Sequence, residues 1–181
     1  MPPELREPWT DFLLDLDFHL QRPVGLHCLG GFVVTACYGL PRATADIDLL
    51  SVVPHDSLAD LLALAGKSST LHRKHGIYLD FVAVATCPYE YEDRLIQLPG
   101  PWERLRLFAL DPYDVALAKL ERNLQHDRDD VLYLAQAVPL DLDLLRTRYH
   151  RELRPYLGRP EREDLTLQLW IEMIQETRGR Q

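Results

Sequence analysis

Apolar and polar positions divide the chain into short, well-punctuated elements. Residues 9–20 carry apolar side chains at Phe12, Leu13, Leu16 and Leu20, the spacing of a helix with one buried face. Thr10 is placed to cap its start and Pro23 to end it. The apolar run 24–29 reads as a strand that feeds Gly30-Gly31, where the missing Cβ atoms allow a sharp turn and close approach to a ligand. Residues 32–40 read as a short buried helix stopped by Gly39 and Pro41. A second strand carries Asp46-Ile47-Asp48-Leu49-Leu50, and Pro54-His55-Asp56 opens a leucine- and alanine-rich helix that Gly66 closes. Residues 71–75, Gly76 and residues 77–85 read as a hairpin with a long apolar second strand. Its alternation sets Tyr78, Asp80, Val82 and Val84 on one face and Leu79, Phe81 and Ala83 on the other.

The second half of the chain is different in kind. Residues 89–97, with Glu90, Glu92, Asp93 and Arg94, read as a polar loop and a short helix. A strand at 105–110 leads into Asp111-Pro112-Tyr113-Asp114, where an N-cap aspartate, a proline at the first helical position and an early negative charge start a helix. That helix runs through Asn123, another runs through Ala135, and everything from Leu140 reads as helical, with breaks near Pro155 and Gly158-Arg159-Pro160. The last helix takes its apolar content from Leu165, Leu167, Leu169, Trp170, Ile171 and Ile174. The expected organisation is an α+β half over residues 1–110 and a helical C-terminal region over 111–181 packed on it.

Carboxylates carry the candidate chemistry. The strand period of two puts Asp46 and Asp48 on one face and Ile47 on the other. Carboxylates that close repel unless a cation sits between them, and a hard divalent ion such as Mg²⁺ suits the position. Spacing alone is weak evidence, since Asp15-Leu16-Asp17 and Asp141-Leu142-Asp143 repeat it at positions that read as solvated or capping. Asp80, in an otherwise apolar strand, needs a cation, a hydrogen-bond partner or water. A third cluster carboxylate, a structural ion pair and an exposed strand end all satisfy that need.

The order Gly30-Gly31, Arg42-Ala43-Thr44 and Asp46-Ile47-Asp48 is more specific. It resembles the active-site signature of the nucleotidyltransferase superfamily that includes DNA polymerase beta. Within it the chain is similar, over residues 26–133, to small bacterial nucleotidyltransferases related to the AbiEii-type abortive-infection toxins. The resemblance implies a nucleotidyltransferase-like mixed sheet with flanking helices. It implies Mg²⁺ held by Asp46, Asp48 and Asp80 as catalytic carboxylates, and a triphosphate such as that of ATP bound at Gly30 and Gly31. Arg42 and Thr44 would contact phosphate or brace the metal strand, although Arg42 reads equally as a plain surface arginine. Lys119 and Arg122, in Ala118-Lys119-Leu120-Glu121-Arg122, resemble a segment that contacts the triphosphate, while a lysine reaching solvent from a helix edge is the simpler reading. Asp127-Arg128-Asp129-Asp130 resembles the acidic segment that follows. Phe32 departs from the family's turn, which carries a small residue there, so no side-chain hydroxyl is available to phosphate at that position.

The implied reaction moves a nucleoside monophosphate from a nucleoside triphosphate to an acceptor hydroxyl on a tRNA, a protein or a small molecule. A toxin–antitoxin or phage-defence role, with a cognate antitoxin as partner, comes with the same kinship.

Composition narrows the classes. The chain has 181 residues, 46% hydrophobic and 27% charged, as in a soluble globular protein. No apolar run approaches membrane-spanning length and the N-terminus lacks a signal-peptide pattern, so a cytoplasmic location without membrane contact is expected. Cys28, Cys37 and Cys87 form no Cys-x-x-Cys pair, which argues against a zinc site or a disulfide framework. A net charge of −8 argues against broad nucleic-acid binding but leaves room for a local basic patch. Arg146, Arg148, Arg151, Arg154, Arg159 and Arg162 concentrate positive charge late in the chain, interleaved with Glu152, Glu161 and Glu163. RNA binding, partner binding and ordinary helix-surface pairing all fit them. His72 and His75 read as surface residues beside a turn. Two other functions stand beside transfer: a noncatalytic nucleotide-binding or protein-interaction module that keeps the fold, and, less suited to so short a chain, a glycosyltransferase using Asp-x-Asp.

Overall fold

Strands β1 (Val24–Leu29), β2 (Asp46–Val53), β3 (Tyr78–Phe81), β4 (Ile96–Leu98) and β5 (Leu105–Ala109) form one mixed sheet in the order β3-β2-β1-β5-β4. β1 runs antiparallel to β2 and parallel to β5; β2 and β3 are parallel, and β4 and β5 antiparallel. The computed structural model describes residues 5–83 and 86–179. The chain divides into two units, residues 1–84 with 95–110 and residues 85–94 with 111–181.

The first unit holds the sheet and helices α1 (Trp9–His19), α2 (Gly30–Tyr38), α3 (Leu58–Ala65) and α4 (Thr70–His75). Phe12, Leu13 and Leu16 of α1 are fully buried, as the helical spacing requires, together with Leu26, Phe32, Val33, Val34, Ile47 and Leu49. Each such side chain contributes about 1.5–3 kcal/mol through burial. Thr10 does not cap α1: its hydroxyl donates to the Leu5 carbonyl at 3.0 Å, and the residue at the cap is Pro8. Gly39 ends α2 in the left-handed conformation, with its N–H on the Thr35 carbonyl.

Three elements of this unit differ from the expected pattern, and in the second unit the helix read through Asn123 ends at Leu117. The stretch read as the first strand of a hairpin is α4, because Ser69 accepts from the His72 N–H at 3.1 Å and Gly76 closes the helix at positive φ. β3 spans four residues only, so Val82 and Ala83 lie beyond it; Val84 and Ala85 are outside the described residues. β4, in a stretch read as polar loop and short helix, is a three-residue edge strand, too short to show a period.

Asp17 does structural work inside this unit. Its carboxylate accepts the backbone N–H groups of Glu103, Arg104 and Leu105 at 3.0, 2.7 and 2.6 Å, fixing the entry into β5. Burial alone would raise its pKa; the three N–H groups outweigh that and hold it below the usual carboxylate range.

The second unit contains α5 (Pro112–Leu117), α6 (Gln125–Ala137), α7 (Leu142–Arg148), a π-helical turn at Tyr149–Leu153 and α8 (Glu161–Gly179). Asp111 caps α5 by accepting the Asp114 N–H at 2.9 Å, and Asp141 caps α7 by accepting from Asp143 and Leu144 at 2.9 and 3.2 Å. The fully buried Asp114 receives Arg94 at 3.0 Å and Arg148 at 3.2 Å. No described helix is long and apolar enough to cross a membrane.

Candidate active site

The carboxylates meet because of sheet register. β2 and β3 run parallel with Asp46 opposite Tyr78 and Asp48 opposite Asp80, so the period of two puts all four side chains on one face. One carboxylate oxygen from each of Asp46, Asp48 and Asp80 lies within 4.8 Å of the others. Asp46 and Asp48 are half-buried and Asp80 is exposed, at an edge strand of the sheet. Strand spacing made Asp46 and Asp48 legible as a pair; only register brings in Asp80.

A bulge sets their direction. The pairing of β1 with β2 slips between His27–Ser51 and Cys28–Leu49, which leaves Leu50 as an extra residue. The alternation therefore changes phase, with Ile47 and Leu49 buried on one side of the bulge and Val52 on the other. Asp46 and Asp48 keep to the face away from Ile47.

The glycine pair closes the site from the other side. Gly30 is the first residue of α2, at φ +72°, and a Cβ there would collide with the Asp48 carboxylate. A Cβ on Gly31 would stand 3.1 Å from Arg42 Nη2 and 4.0 Å from Thr44 Oγ1. Thus Gly30, Gly31, Arg42, Thr44, Asp46, Asp48 and Asp80 form one constellation. Thr44 braces it, since its hydroxyl donates to the Asp46 carboxylate. The start of α2 has no side-chain cap and no acidic residue in its first turn, so its N–H groups remain suited to an anion. Phe32 turns away from this surface and is fully buried, edge-on to Trp9.

Tyr78 was not singled out by sequence, yet it stands in the same row. Its phenol pKa is raised, first by burial and then by the charges of Asp46, Asp80 and Asp48. Lys67 Nζ lies 5.8 Å from the centre of its ring and the His72 ring meets it edge-on at 4.8 Å. The available signal was its place on the same strand face as Asp80; its register opposite Asp46 completes the row.

Lys119 and Arg122 belong to the second unit. Lys119 is 4% exposed and binds Asp130 at 2.8 Å and Asp127 at 3.4 Å. Arg122 donates to Asp127 at 2.9 and 2.5 Å. Burial works to raise the Asp127 pKa, but Arg122, the Leu124 N–H and Lys119 pull it below the usual range. A lysine in an apolar stretch thus has two buried aspartates as its local reason.

The thiols are poor nucleophiles. Burial pushes the Cys37 pKa up to about 12 and also raises those of Cys28 and Cys87 well above the usual thiol value.

A mixed sheet whose neighbouring strands gather three carboxylates beside a glycine turn and a helix start is of the nucleotidyltransferase kind. The chain belongs to the family described as "Nucleotidyltransferase of unknown function (DUF6036)", whose sequence profile matches residues 16–178. No curated protein and no solved structure gives a significant match.

Proposed function

We propose that the protein is a Mg²⁺-dependent nucleotidyltransferase that moves a nucleoside monophosphate from a nucleoside triphosphate to an acceptor hydroxyl. The observation that carries this reading is the convergence of Asp46, Asp48 and Asp80 within 4.8 Å, directly against the Cβ-free Gly30. Three hard oxygen donors on an open face, with Asp48 seated where a Cβ on Gly30 would stand, fit a divalent cation. Asp46 and Asp48 would hold the ion, with Asp80 completing the set from the strand edge. Bound there, a divalent ion neutralises phosphate charge and lowers the pKa of a hydroxyl.

This chain's residues supply the rest. The N–H groups at the start of α2 and the Arg42 guanidinium receive the triphosphate, and Thr44 holds Asp46 in place. The acceptor oxygen forms a bond to the α-phosphorus, the bond to the bridging oxygen breaks, pyrophosphate leaves, and the acceptor proton passes toward Asp80 and water. The acceptor class covers tRNA, protein and small molecules. A role in a toxin–antitoxin or phage-defence system, with an antitoxin as partner, rests on the resemblance to AbiEii-type proteins, and a cytoplasmic site of action on the absence of a signal-peptide pattern and of a membrane-spanning apolar run.

Calorimetry with each nucleoside triphosphate, with and without Mg²⁺, tests the site. Binding that needs Mg²⁺ and is lost in Asp46→Asn/Asp48→Asn supports it, and Mg²⁺-independent binding or none contradicts it. A noncatalytic nucleotide-binding module would bind in the same way, and label transfer from the α-phosphate separates the two.

A further inference from the structure

The carboxylate cluster has two flanks of different chemistry. Gly30, Gly31, Arg42 and Thr44 occupy the β1 side, which the proposed function assigns to the triphosphate. On the β3 side stands Tyr78, and beyond it the turn and helix that carry Lys67, His72, Arg73, Lys74 and His75. Residues 67–75 contain these five basic side chains and no Asp or Glu, in a chain of net charge −8.

The pattern matters because most other arginine-rich segments are neutralised locally. In the second unit Arg146 pairs with Asp143 at 3.1 Å, Arg148 with Asp111 at 2.6 Å, Arg154 with Asp164 at 2.8 Å and Arg162 with Glu163 at 3.1 Å. Within the basic run, Lys74 and His75 are held by Asp15 at 2.6 and 2.8 Å. Lys67 and Arg73 are in no salt bridge among the described residues, and both are exposed. Arg73 folds back onto the Ser68 carbonyl at 2.5 Å, which keeps its guanidinium beside the turn that bears Lys67. His72 takes the Ser68 N–H on Nδ1 at 2.9 Å, tying the same turn to α4. The isolated bridge between Gly66 and Leu79 fixes the start of this turn against β3.

We propose that Lys67, Arg73, His72 and Tyr78 form the docking site for the 3′ end of a single-stranded polynucleotide, which is the acceptor of the transferred nucleotide. This deepens the nucleotidyltransferase reading and rests on it. Lys67 and Arg73 take backbone phosphates, the terminal nucleotide lies against Tyr78 and His72, and its hydroxyl reaches the exposed Asp80 edge of the cluster. A flexible anionic chain is the acceptor for which two acid-free cations next to three carboxylates make sense; a neutral hydroxyl compound needs neither cation.

The test is fluorescence anisotropy with 5′-labelled oligoribonucleotides and oligodeoxyribonucleotides of equal length, without nucleoside triphosphate, over a range of salt. The wild-type chain binds, and Lys67→Glu/Arg73→Glu weakens binding at least about tenfold and lowers the salt slope by about 1.4, two contacts at about 0.7 each. Lys67→Gln/Arg73→Gln falls between them and is read instead if thermal melting shows the charge-reversed protein unfolded. Tyr78→Leu weakens binding without changing the salt slope. The Asp46→Asn/Asp48→Asn protein still binds the oligonucleotide. The preferred sugar identifies the polymer. Equal binding by wild type and charge-reversed protein, or no binding by wild type, overturns the proposal, as does labelling of polypeptide with no oligonucleotide binding. Oligonucleotide binding that persists where Mg²⁺-dependent triphosphate binding is absent keeps the docking site and removes the transferase reading, so the two fail separately.

Discussion

The Gly30 Cα sits directly against the Asp48 carboxylate, in a space where no side chain can follow. The contact joins the start of α2 to the carboxylate-bearing strand β2. Gly30 is also at φ +72°, so alanine there meets backbone strain and a collision together. Gly30→Ala should cost about 1–3 kcal/mol of stability and remove triphosphate binding. Gly31→Ala meets only the end of the Arg42 side chain, at 3.1 Å, and should fold normally with weakened binding. Thermal melting and calorimetry of the two variants check this.

Asp17 gives a pH signature. Its folded-state pKa lies below the unfolded one, so its contribution is complete above the unfolded value and is lost as pH falls through the folded value. Asp17→Asn should cost about 2 kcal/mol or more near neutral pH, because three backbone N–H groups lose a charged acceptor. The stabilities of variant and wild type should converge in acid, which chemical denaturation at neutral and low pH would show. A gap of constant size would contradict this role.

Lys119 and Arg122 should separate on stability. Lys119 is buried between Asp127 and Asp130, and Lys119→Met removes the buried ammonium that both carboxylates share, a loss of about 3–5 kcal/mol. The Arg122 side chain is 56% exposed, so Arg122→Ala should cost about 0–1 kcal/mol. Urea titrations of both variants decide the matter, and equal small effects would rule out the buried-cluster account.

The carboxylate cluster predicts opposite responses with and without metal. Without divalent ions, Asp46→Asn/Asp48→Asn relieves like-charge repulsion and should melt at or above the wild-type temperature. Added Mg²⁺ should raise the melting temperature of the wild type and leave the variant unchanged. Calorimetric scans with chelator and with Mg²⁺ read both.

Sequence made part of this site visible and concealed the rest for physical reasons. Gly30-Gly31, Arg42, Thr44, Asp46 and Asp48 lie within one strand–helix–strand passage, so the resemblance of that single local stretch to the superfamily signature grouped them. Asp80 was legible through the resemblance and its place in an apolar strand, while the register between β2 and β3 that sets it opposite Asp48 is carried by no local pattern. The helix 70–75 was misread because its residues show no clear period over six positions; Ser69 and Gly76 as caps were the missed signal. Asp15-Leu16-Asp17 read as solvated or capping, but Asp17 is buried and organises a loop 86 to 88 residues away. His75 read as surface, yet it is half-buried on Asp15 and edge-on to Phe12. Long-range partners of this kind leave no trace in spacing.

Transfer of label from α-³²P nucleoside triphosphates, in Mg²⁺, to total RNA or cell lysate tests the central claim most directly. The account predicts Mg²⁺-dependent labelling of a macromolecular acceptor by the wild type, none by Asp46→Ala/Asp48→Ala, and labelled nucleic acid rather than labelled protein. Triphosphate binding without transfer to any fraction, or labelling that survives the double substitution, would contradict it.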